Sequence, residues 1–189
     1  MEYKKATEKD IEQIVMLVQD TIRSVYPKYY PNEIVDFFCQ LHCKENILKD
    51  TENSLVGILQ NDNTIIGTGC YENNHITRVY VKPEYQEQGY GSYIIQCIEN
   101  EISLKYDMVY LDVSLPASHL YEKRGYQTIM HERWKVGNRV ILVYEVMKKI
   151  LPSVSSSISY DGKCFLPREN TENGEVDEKT LFEYQQKRI

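Results

Sequence analysis

The chain has 189 residues, of which 42% are hydrophobic and 26% charged, and its formal net charge is −6. This size and composition predict one globular domain with a sizeable core. The acidic balance disfavours nucleic acid as a partner, because phosphate backbones attract basic surfaces. No apolar run approaches the roughly 18 residues of a membrane span, and no apolar signal core follows the first residues. We therefore expect a cytoplasmic protein without a membrane partner.

The five cysteines are an odd number and include no C-x-x-C spacing, so they predict reduced thiols. Cys39, His42 and Cys43 could share a helix face and hold a metal. A buried helix face with two small apolar thiols is the simpler interpretation. Our expectation is therefore a protein without a metal site.

The first part of the chain predicts one strand and two helices. Residues 3–6 can form the strand. Thr7 and Asp10 match a variant of the capping box, and the apolar residues behind them recur at helical spacing, which predicts an amphipathic helix over residues 8–25. Asn32 is then expected to cap a second helix.

From residue 55 the apolar pattern changes to a period of two, which predicts strands. Three antiparallel strands are expected over residues 55–60, 64–71 and 76–81, joined by turns rich in asparagine. A helix is predicted over residues 90–104.

A further strand is predicted over residues 108–113, and a short helix over residues 117–123 that Gly125 can end as its C′ residue. Residues 126–132 and 139–148 form a last hairpin.

The second strand of that hairpin is apolar at nearly every position from Val140 to Val146. Strands that are buried on both faces have this composition. The sequence therefore predicts that this strand is covered on both faces.

The segment Gln86-Glu87-Gln88-Gly89-Tyr90-Gly91-Ser92 lies between a predicted strand and a predicted helix. Its two glycines, one residue apart, allow the backbone to turn sharply and to approach a ligand closely. The helix N-terminus that follows offers unpaired N–H groups and a partial positive charge, which suit a phosphate.

The order of the elements, together with two motifs, resembles the GNAT superfamily of acyl-CoA-dependent N-acetyltransferases. The acetyl-CoA loop of that family reads Arg/Gln-x-x-Gly-x-Gly/Ala, and Gln86, Gly89 and Gly91 occupy its fixed positions. Residues 117–126, Ala-Ser-His-Leu-Tyr-Glu-Lys-Arg-Gly-Tyr, are similar to a second motif of the family, A-x-x-x-Tyr-Glu-Lys-x-Gly-Phe, with Tyr121 at the tyrosine.

The resemblance covers residues 1–149 and implies an α/β (α+β) fold. The family has a mixed, mostly antiparallel sheet of six or seven strands with helices on both faces. The sheet is expected to splay between the strands at residues 76–81 and 108–113.

The resemblance also implies acetyl-CoA as the acyl donor. The pantetheine arm would pair with the backbone of the strand that precedes the loop, and the loop amides would hold the pyrophosphate without a metal. Many members have Gly where Glu87 stands and Asn where Ser114 stands. The implied binding residues are Val79, Tyr80, Val81, Gln86, Glu87, Gln88, Gly89, Tyr90, Gly91, Ser92 and Ser114.

The implied reaction is direct attack of an amine on the thioester, with Tyr121 as the proton donor to the leaving thiolate. A backbone N–H near Val79 or Val81 could stabilise the oxyanion. Glu72, at the rim of the sheet, is the first choice for the base. The alternatives are a water chain without a single base, or the side chains of His75, Asp112, His119 and Glu132.

The predicted acceptor is a primary amine of a small molecule or peptide. It is expected between the first two helices and the last hairpin, although the aromatic residues there also suit a core. The candidate lining residues are Tyr26, Tyr29, Tyr30, Phe37, Phe38 and Trp134.

Two other functions stay open, as does a homodimer. The first is a catalytically silent module that binds acyl-CoA. The second is an acetyltransferase that acts on a macromolecule such as tRNA or a ribosomal protein. If the macromolecule were a nucleic acid, a basic surface near Trp134, Lys135 and Arg139 would be needed.

Residues 150–159 are predicted as a linker, and residues 160–189 as a C-terminal arm or truncated β-hairpin. A segment of roughly thirty residues cannot enclose a core alone. This tail is similar to the opening of a small β-barrel domain in short bacterial proteins labelled N-acetylglutamate synthase-like.

Overall fold

The computed structural model describes residues 1–137 and 139–152. The described residues form a mixed seven-stranded sheet in the order β1-β2-β3-β4-β5-β7-β6, with helices on both faces. The strands are β1 (Glu2–Lys5), β2 (Val56–Asn61), β3 (Thr64–Glu72), β4 (His75–Val81), β5 (Met108–Val113), β6 (Gln127–Val136) and β7 (Val140–Ile150). The helices are α1 (Ile11–Val25), α2 (Asn32–Leu41), α3 (Lys44–Glu52), α4 (Tyr90–Ser103) and α5 (Ser118–Lys123). The predicted fold class is confirmed.

Two cores lie on opposite faces of the sheet. Helices α1, α2 and α3 cover one face, and α4 and α5 cover the other. Helix α4 approaches β3 very closely: a Cβ atom at Gly69 would lie 2.7 Å from side-chain atoms of both Ile94 and Ile98. The glycine therefore sets the height of α4 above the sheet, and with it the position of the loop that precedes this helix.

The start of α1 follows the predicted capping pattern. The backbone N–H and the hydroxyl of Thr7 donate to the Asp10 carboxylate over 2.8 and 2.7 Å. The predicted helix begins with a separate 3₁₀ turn, Glu8–Asp10, before the α-helical geometry starts at Ile11.

Two details of the helices differ from the sequence-based expectation. Asn32 is the first residue of α2 and not its cap, because the extended residue Pro31 takes the cap position. Helix α3 was not predicted at all. It buries Ile47 and also Asp50, whose carboxylate accepts a hydrogen bond of 2.6 Å from the buried guanidinium of Arg78 on β4.

The prediction that the last strand is covered on both faces is wrong. Ile141 and Val143 of β7 are 57% and 47% exposed, whereas the alternating residues Leu142 and Tyr144 are buried against the α1–α2 side. The first half of β7 extends beyond the end of β5, which pairs with it only as far as Glu145. On the same face, a contact with a helix comes at Glu145, where Ser118 of α5 donates to the carboxylate over 3.4 Å.

The sheet opens between β4 and β5, as predicted. These two parallel strands pair at His75 with Tyr110 and at Ile76 with Leu111, and their ladder ends there. On the other side of β4, Tyr71 lies opposite Ile76 and Cys70 opposite Arg78, so Thr77 is the extra residue of a β-bulge. The bulge bends β4 at the point where the two strands diverge.

Strand β7 continues to Ile150, and the buried Leu151 donates its N–H to the Asp107 carbonyl over 2.7 Å. The described residues thus include the first three residues of the predicted linker, 150–152. The rest of that linker, from residue 153, and the predicted C-terminal arm lie outside the described residues. Within the described ranges, no helix is long and apolar enough to cross a membrane.

Candidate active site

The loop between β4 and α4 turns through two residues with positive φ. Gly89 has a φ of 88° and occupies the cap position of α4. The first hydrogen bond of the helix runs from the Tyr93 N–H to the Gly89 carbonyl, over 3.0 Å. The N–H groups of Tyr90, Gly91 and Ser92 therefore point out of the first turn without a partner inside the helix. This arrangement is suited to binding a phosphate group.

Glu87 is the second residue of the loop in the left-handed region, with a φ of 61°. This conformation suits glycine and costs other residues roughly 1 kcal/mol. The residue is exposed, so its carboxylate can face solvent instead of a bound anion.

Two glutamines hold the loop in place. The Gln86 side chain donates to the Val81 carbonyl over 2.9 Å, which ties the loop to the end of β4. The Gln88 side chain donates to the Glu84 carbonyl over 3.1 Å. Gln86 is thus a structural residue of the loop, and its amide is already engaged.

Tyr121 lies on α5 and is buried, with 6% of its surface exposed. Gly125, with a φ of 84°, ends the helix: its N–H donates to the Glu122 carbonyl and the Tyr126 N–H donates to the Tyr121 carbonyl. The ring of Tyr126 then packs edge-on against that of Tyr121, with centroids 5.4 Å apart. The motif around Tyr121 therefore fixes the position of its ring.

Burial raises the pKa of the Tyr121 hydroxyl, and the neighbouring hydroxyl of Tyr26 raises it further. A phenol with a raised pKa stays protonated at neutral pH. Its proton is therefore available at neutral pH, although the raised pKa by itself makes the phenol a weaker acid.

Tyr26 bridges the two diverging strands. Its hydroxyl lies 3.2 Å from the hydroxyl of Tyr80 on β4 and 3.2 Å from that of Ser114, which follows β5. Tyr30 adds a second link, since its hydroxyl accepts a hydrogen bond of 2.7 Å from the Leu115 N–H. Sequence reasoning missed this bridge, because Tyr26 and Ser114 are 88 residues apart and no local pattern joins them.

Tyr80 and Tyr121 belong to the cores on opposite faces of the sheet. Burial is the main cause that raises the pKa of Tyr80. The nearby tyrosines Tyr26 and Tyr121 raise this pKa further. The hydrogen-bond contacts that link the two diverging strands at this point are those of the Tyr26 hydroxyl with Tyr80 and Ser114.

The candidate bases lie in different places. Glu72 pairs with His75 across the β3–β4 turn, at the closed end of the opening. Because His75 precedes Val79 by four residues, this end of β4 is about 13 Å from the strand segment predicted to hold the thioester. His75 Nε2 lies 3.5 Å from Asp112 Oδ2 at the same end.

The other two candidates lie on other elements. The imidazole of His119 is exposed and lies 3.6 Å from the Glu122 carboxylate on the surface of α5. Glu132 lies on β6 opposite Tyr144.

Most of the aromatic residues proposed to line the acceptor site do come together. Phe37 packs against Trp134 of β6, with centroids 6.2 Å apart, and Phe38 packs edge-on against Tyr26 at 4.9 Å. Tyr30 joins the same cluster, whereas Tyr29 is exposed. These rings pack against the core on the α1–α2 side, so the structure supports a role for them in the core.

Glu99 of α4 connects several elements that surround Tyr121. Its carboxylate is buried and accepts hydrogen bonds from Arg124 over 2.7 Å, Tyr126 over 2.9 Å and Lys149 over 3.0 Å. Helix α4, the end of α5 and strand β7 are thereby joined at one point. No sequence motif pointed to this residue.

A family model described as Acetyltransferase (GNAT) domain matches residues 6–145 of the chain. Among curated proteins, no sequence gives a significant match.

Solved structures resemble the fold closely. A GCN5-related N-acetyltransferase from Rhodopseudomonas palustris has a TM-score of 0.73 and 18% identity, over 79% of this chain and 95% of that one. The PaiA N-acetyltransferase from Thermoplasma acidophilum, in complex with coenzyme A, has a TM-score of 0.64 and 22% identity, over 79% and 98%. YncA from Salmonella typhimurium, a putative acetyltransferase with acetyl-CoA, has a TM-score of 0.61 and 12% identity, over 85% and 99%.

Proposed function

The chain belongs to the GNAT acetyltransferase family, and we propose that it transfers an acetyl group from acetyl-CoA to the primary amine of a small molecule or peptide. The observation that carries this proposal is the opening between β4 and β5, with the glycine loop at one end and Tyr121 beside it. A donor with a phosphate group and a long arm fits such a site.

The edge of β4 that faces the opening provides the place for the pantetheine arm. The ladder to β5 ends at Ile76, so the backbone of the following residues has no β5 partner on this edge and can pair with a ligand as far as the Val81 N–H. The Val81 carbonyl already accepts hydrogen bonds from Gln86 and Thr21. An extended ligand can pair with this edge as an added strand would. The N–H groups of residues 88–92 would then hold the pyrophosphate.

The proposed chemistry is a direct displacement. The neutral amine attacks the thioester carbonyl carbon, and a backbone N–H near Val79 or Val81 stabilises the oxyanion. The C–S bond then breaks, the nitrogen loses its proton to the base, and the thiolate receives a proton from the Tyr121 hydroxyl. The base releases its proton to solvent, and the Tyr121 phenolate takes one back from solvent, so the enzyme returns to its starting state. The Tyr121 phenol is protonated at neutral pH, so the proton is present before the thiolate forms.

Glu72 stays our first choice for the base. Its position at the β3–β4 turn implies that it acts through water, because roughly 13 Å of strand separates it from Val79. A Glu72→Gln variant tests this role. A lower kcat with a displaced acidic limb of the pH profile supports Glu72, and an unchanged profile excludes Glu72 as the base and leaves the water chain and the other side chains.

The test of the main proposal is thiol release from acetyl-CoA with a panel of amines, amino acids and short peptides. Wild type is compared with Tyr121→Phe and with the control Tyr93→Phe, whose ring is exposed on α4. Tyr121→Phe should lower amine-dependent release at least about tenfold while acetyl-CoA still binds, and Tyr93→Phe should behave as wild type.

Tight acetyl-CoA binding without release on any acceptor would contradict transfer to such amines and favour the silent module. Absence of acetyl-CoA binding would contradict the proposed role of the Gln86–Gly91 loop.

A further inference from the structure

The outer face of the β6–β7 hairpin contains a shallow depression of about 280 Å³, lined by Arg133, Lys135, Arg139 and Ile141. Lys135 lies directly opposite Ile141 in the β6–β7 ladder, so the two side chains share a face of the sheet. The depression is distinct from the opening between β4 and β5.

The three cations of the depression have no acidic partner in the described chain. Each ion pair found within residues 1–137 and 139–152 involves other residues. Glu145 is a carboxylate on the same face, but it accepts a hydrogen bond of 2.6 Å from Thr128 and lies four residues along β7 from Ile141. A local excess of positive charge in a chain of net charge −6 indicates an anionic ligand.

The cations also border exposed apolar surface. Ile141 and its neighbour Val143 are exposed on the part of β7 that extends past the end of β5. A ligand with both acidic and apolar groups matches this surface better than a bare phosphate does. The overall negative charge also opposes a long polyanion such as a nucleic acid.

The distance to the opening sets the length of such a ligand. Val113, the last residue of β5, pairs with Glu145, and Ile141 lies four residues further along β7. The separation from the β5 edge of the opening is therefore about 13 Å, so an extended peptide needs at least about four residues to reach the depression from the opening.

We propose that the depression binds acidic side chains of a peptide acceptor, at least about four residues from the amine that is acetylated. This inference rests on the proposed acetyl transfer and names the acceptor as an acidic peptide. The peptide would extend from the opening between β4 and β5 along the outer face of β7, with its carboxylates beside Arg133, Lys135 and Arg139.

The test compares two peptides of equal length with a free N-terminal amine, one with Asp and Glu at the fourth and fifth positions and one with Asn and Gln there. The enzymes are wild type, Arg133→Gln/Lys135→Gln, and the control Lys9→Gln/Lys28→Gln, which removes two exposed cations elsewhere. Both kcat/KM and binding by fluorescence anisotropy are measured, the latter without turnover.

We expect wild type and the control to prefer the acidic peptide about tenfold in kcat/KM, and the preference to fall at higher salt. Arg133→Gln/Lys135→Gln should lose the preference and retain its rate on the neutral peptide. Thiol release without a preference for the acidic peptide would overturn the docking site and leave the proposed acetyl transfer intact. A preference that Arg133→Gln/Lys135→Gln retains would do the same.

The two proposals fail differently. Acidic-peptide binding that the double variant loses, without thiol release from any peptide or amine, would contradict acetyl transfer and support the docking site. A single-stranded oligonucleotide that binds wild type more tightly than the acidic peptide, and binds Arg133→Gln/Lys135→Gln weakly, would overturn the assignment to a peptide.

Discussion

The hydroxyl of Tyr26 lies 3.2 Å from that of Ser114, and the resulting hydrogen bond joins the end of α1 to the end of β5 across the opening in the sheet. Many GNAT sequences have an asparagine at the position of Ser114. The shorter serine reaches Tyr26, which also contacts Tyr80 of β4. Tyr26 therefore holds both walls of the proposed donor site.

Replacing Tyr26 with Phe should weaken acetyl-CoA binding by roughly fivefold, the equivalent of one hydrogen bond of about 1 kcal/mol. Ser114→Ala should have a similar effect. Because the two hydroxyls bond to one another, the double variant should lose little more than either single variant. The dissociation constants of acetyl-CoA for the four proteins check this coupling. Additive losses would show that the two residues act separately.

The two glycines of the loop should respond differently to alanine. Gly89 has a φ of 88°, which strains any side chain, so Gly89→Ala should weaken acetyl-CoA binding by displacing the N–H groups of the first turn of α4. Gly91 is the matched control. A Cβ there would lie 3.5 Å from Leu120, an ordinary contact, so Gly91→Ala should keep the fold and most of the affinity. Equal losses would contradict the proposed role of the Gly89 conformation.

Local patterns in the sequence predicted much of this architecture, whereas contacts between distant residues were not predictable. The periodicity located all seven strands, and the two motifs located the loop and Tyr121. Helix α3 was missed because it is short and its pattern of buried residues includes a charged one. Asp50 is buried beside its ion-pair partner Arg78, which lies 28 residues later in the chain. The exposure of Ile141 was also unpredictable, because it depends on β7 extending past the end of β5.

The same limit applies to the site. The Gln86–Ser92 segment and Tyr121 carry family motifs, so each could be proposed from its own neighbourhood. The partners that position them come from elsewhere in the chain. Glu99, for example, meets Arg124 and Lys149 from elements that follow it by 25 and 50 residues.

Glu99→Ala should destabilise the protein by about 3–5 kcal/mol, because it leaves Arg124 and Lys149 as partly buried charges without their carboxylate. Glu101, on the same helix, provides the control. It pairs with Lys5 and Tyr71 but is 34% exposed, so Glu101→Ala should cost less than about 1 kcal/mol. Urea unfolding of the three proteins gives the comparison. Equal losses in the free energy of unfolding would show that the buried ion pairs of Glu99 stabilise the protein no more than the exposed pair of Glu101 does.

Alkaline pH should destabilise the fold through its buried tyrosines. Burial raises the pKa of Tyr30 to about 12, and it raises the pKa values of Tyr26, Tyr80 and Tyr121 as well. An unfolded tyrosine ionises near pH 10. Below about pH 10 the hydroxyls are protonated in both states. Above it the unfolded chain releases protons that the folded chain retains, so the free energy of unfolding falls as pH rises.

The contribution of Tyr30 can be separated by comparing wild type with Tyr30→Phe in urea unfolding at several values between about pH 9 and pH 12. The variant removes one hydroxyl that, between about pH 10 and pH 12, is protonated in the folded state and ionised in the unfolded state. Its free energy of unfolding should therefore fall less steeply with pH, by up to about 1.4 kcal/mol per pH unit. Tyr29→Phe, which alters an exposed ring of the same segment, should retain the wild-type slope. A Tyr30→Phe slope equal to that of wild type would contradict the raised pKa of Tyr30.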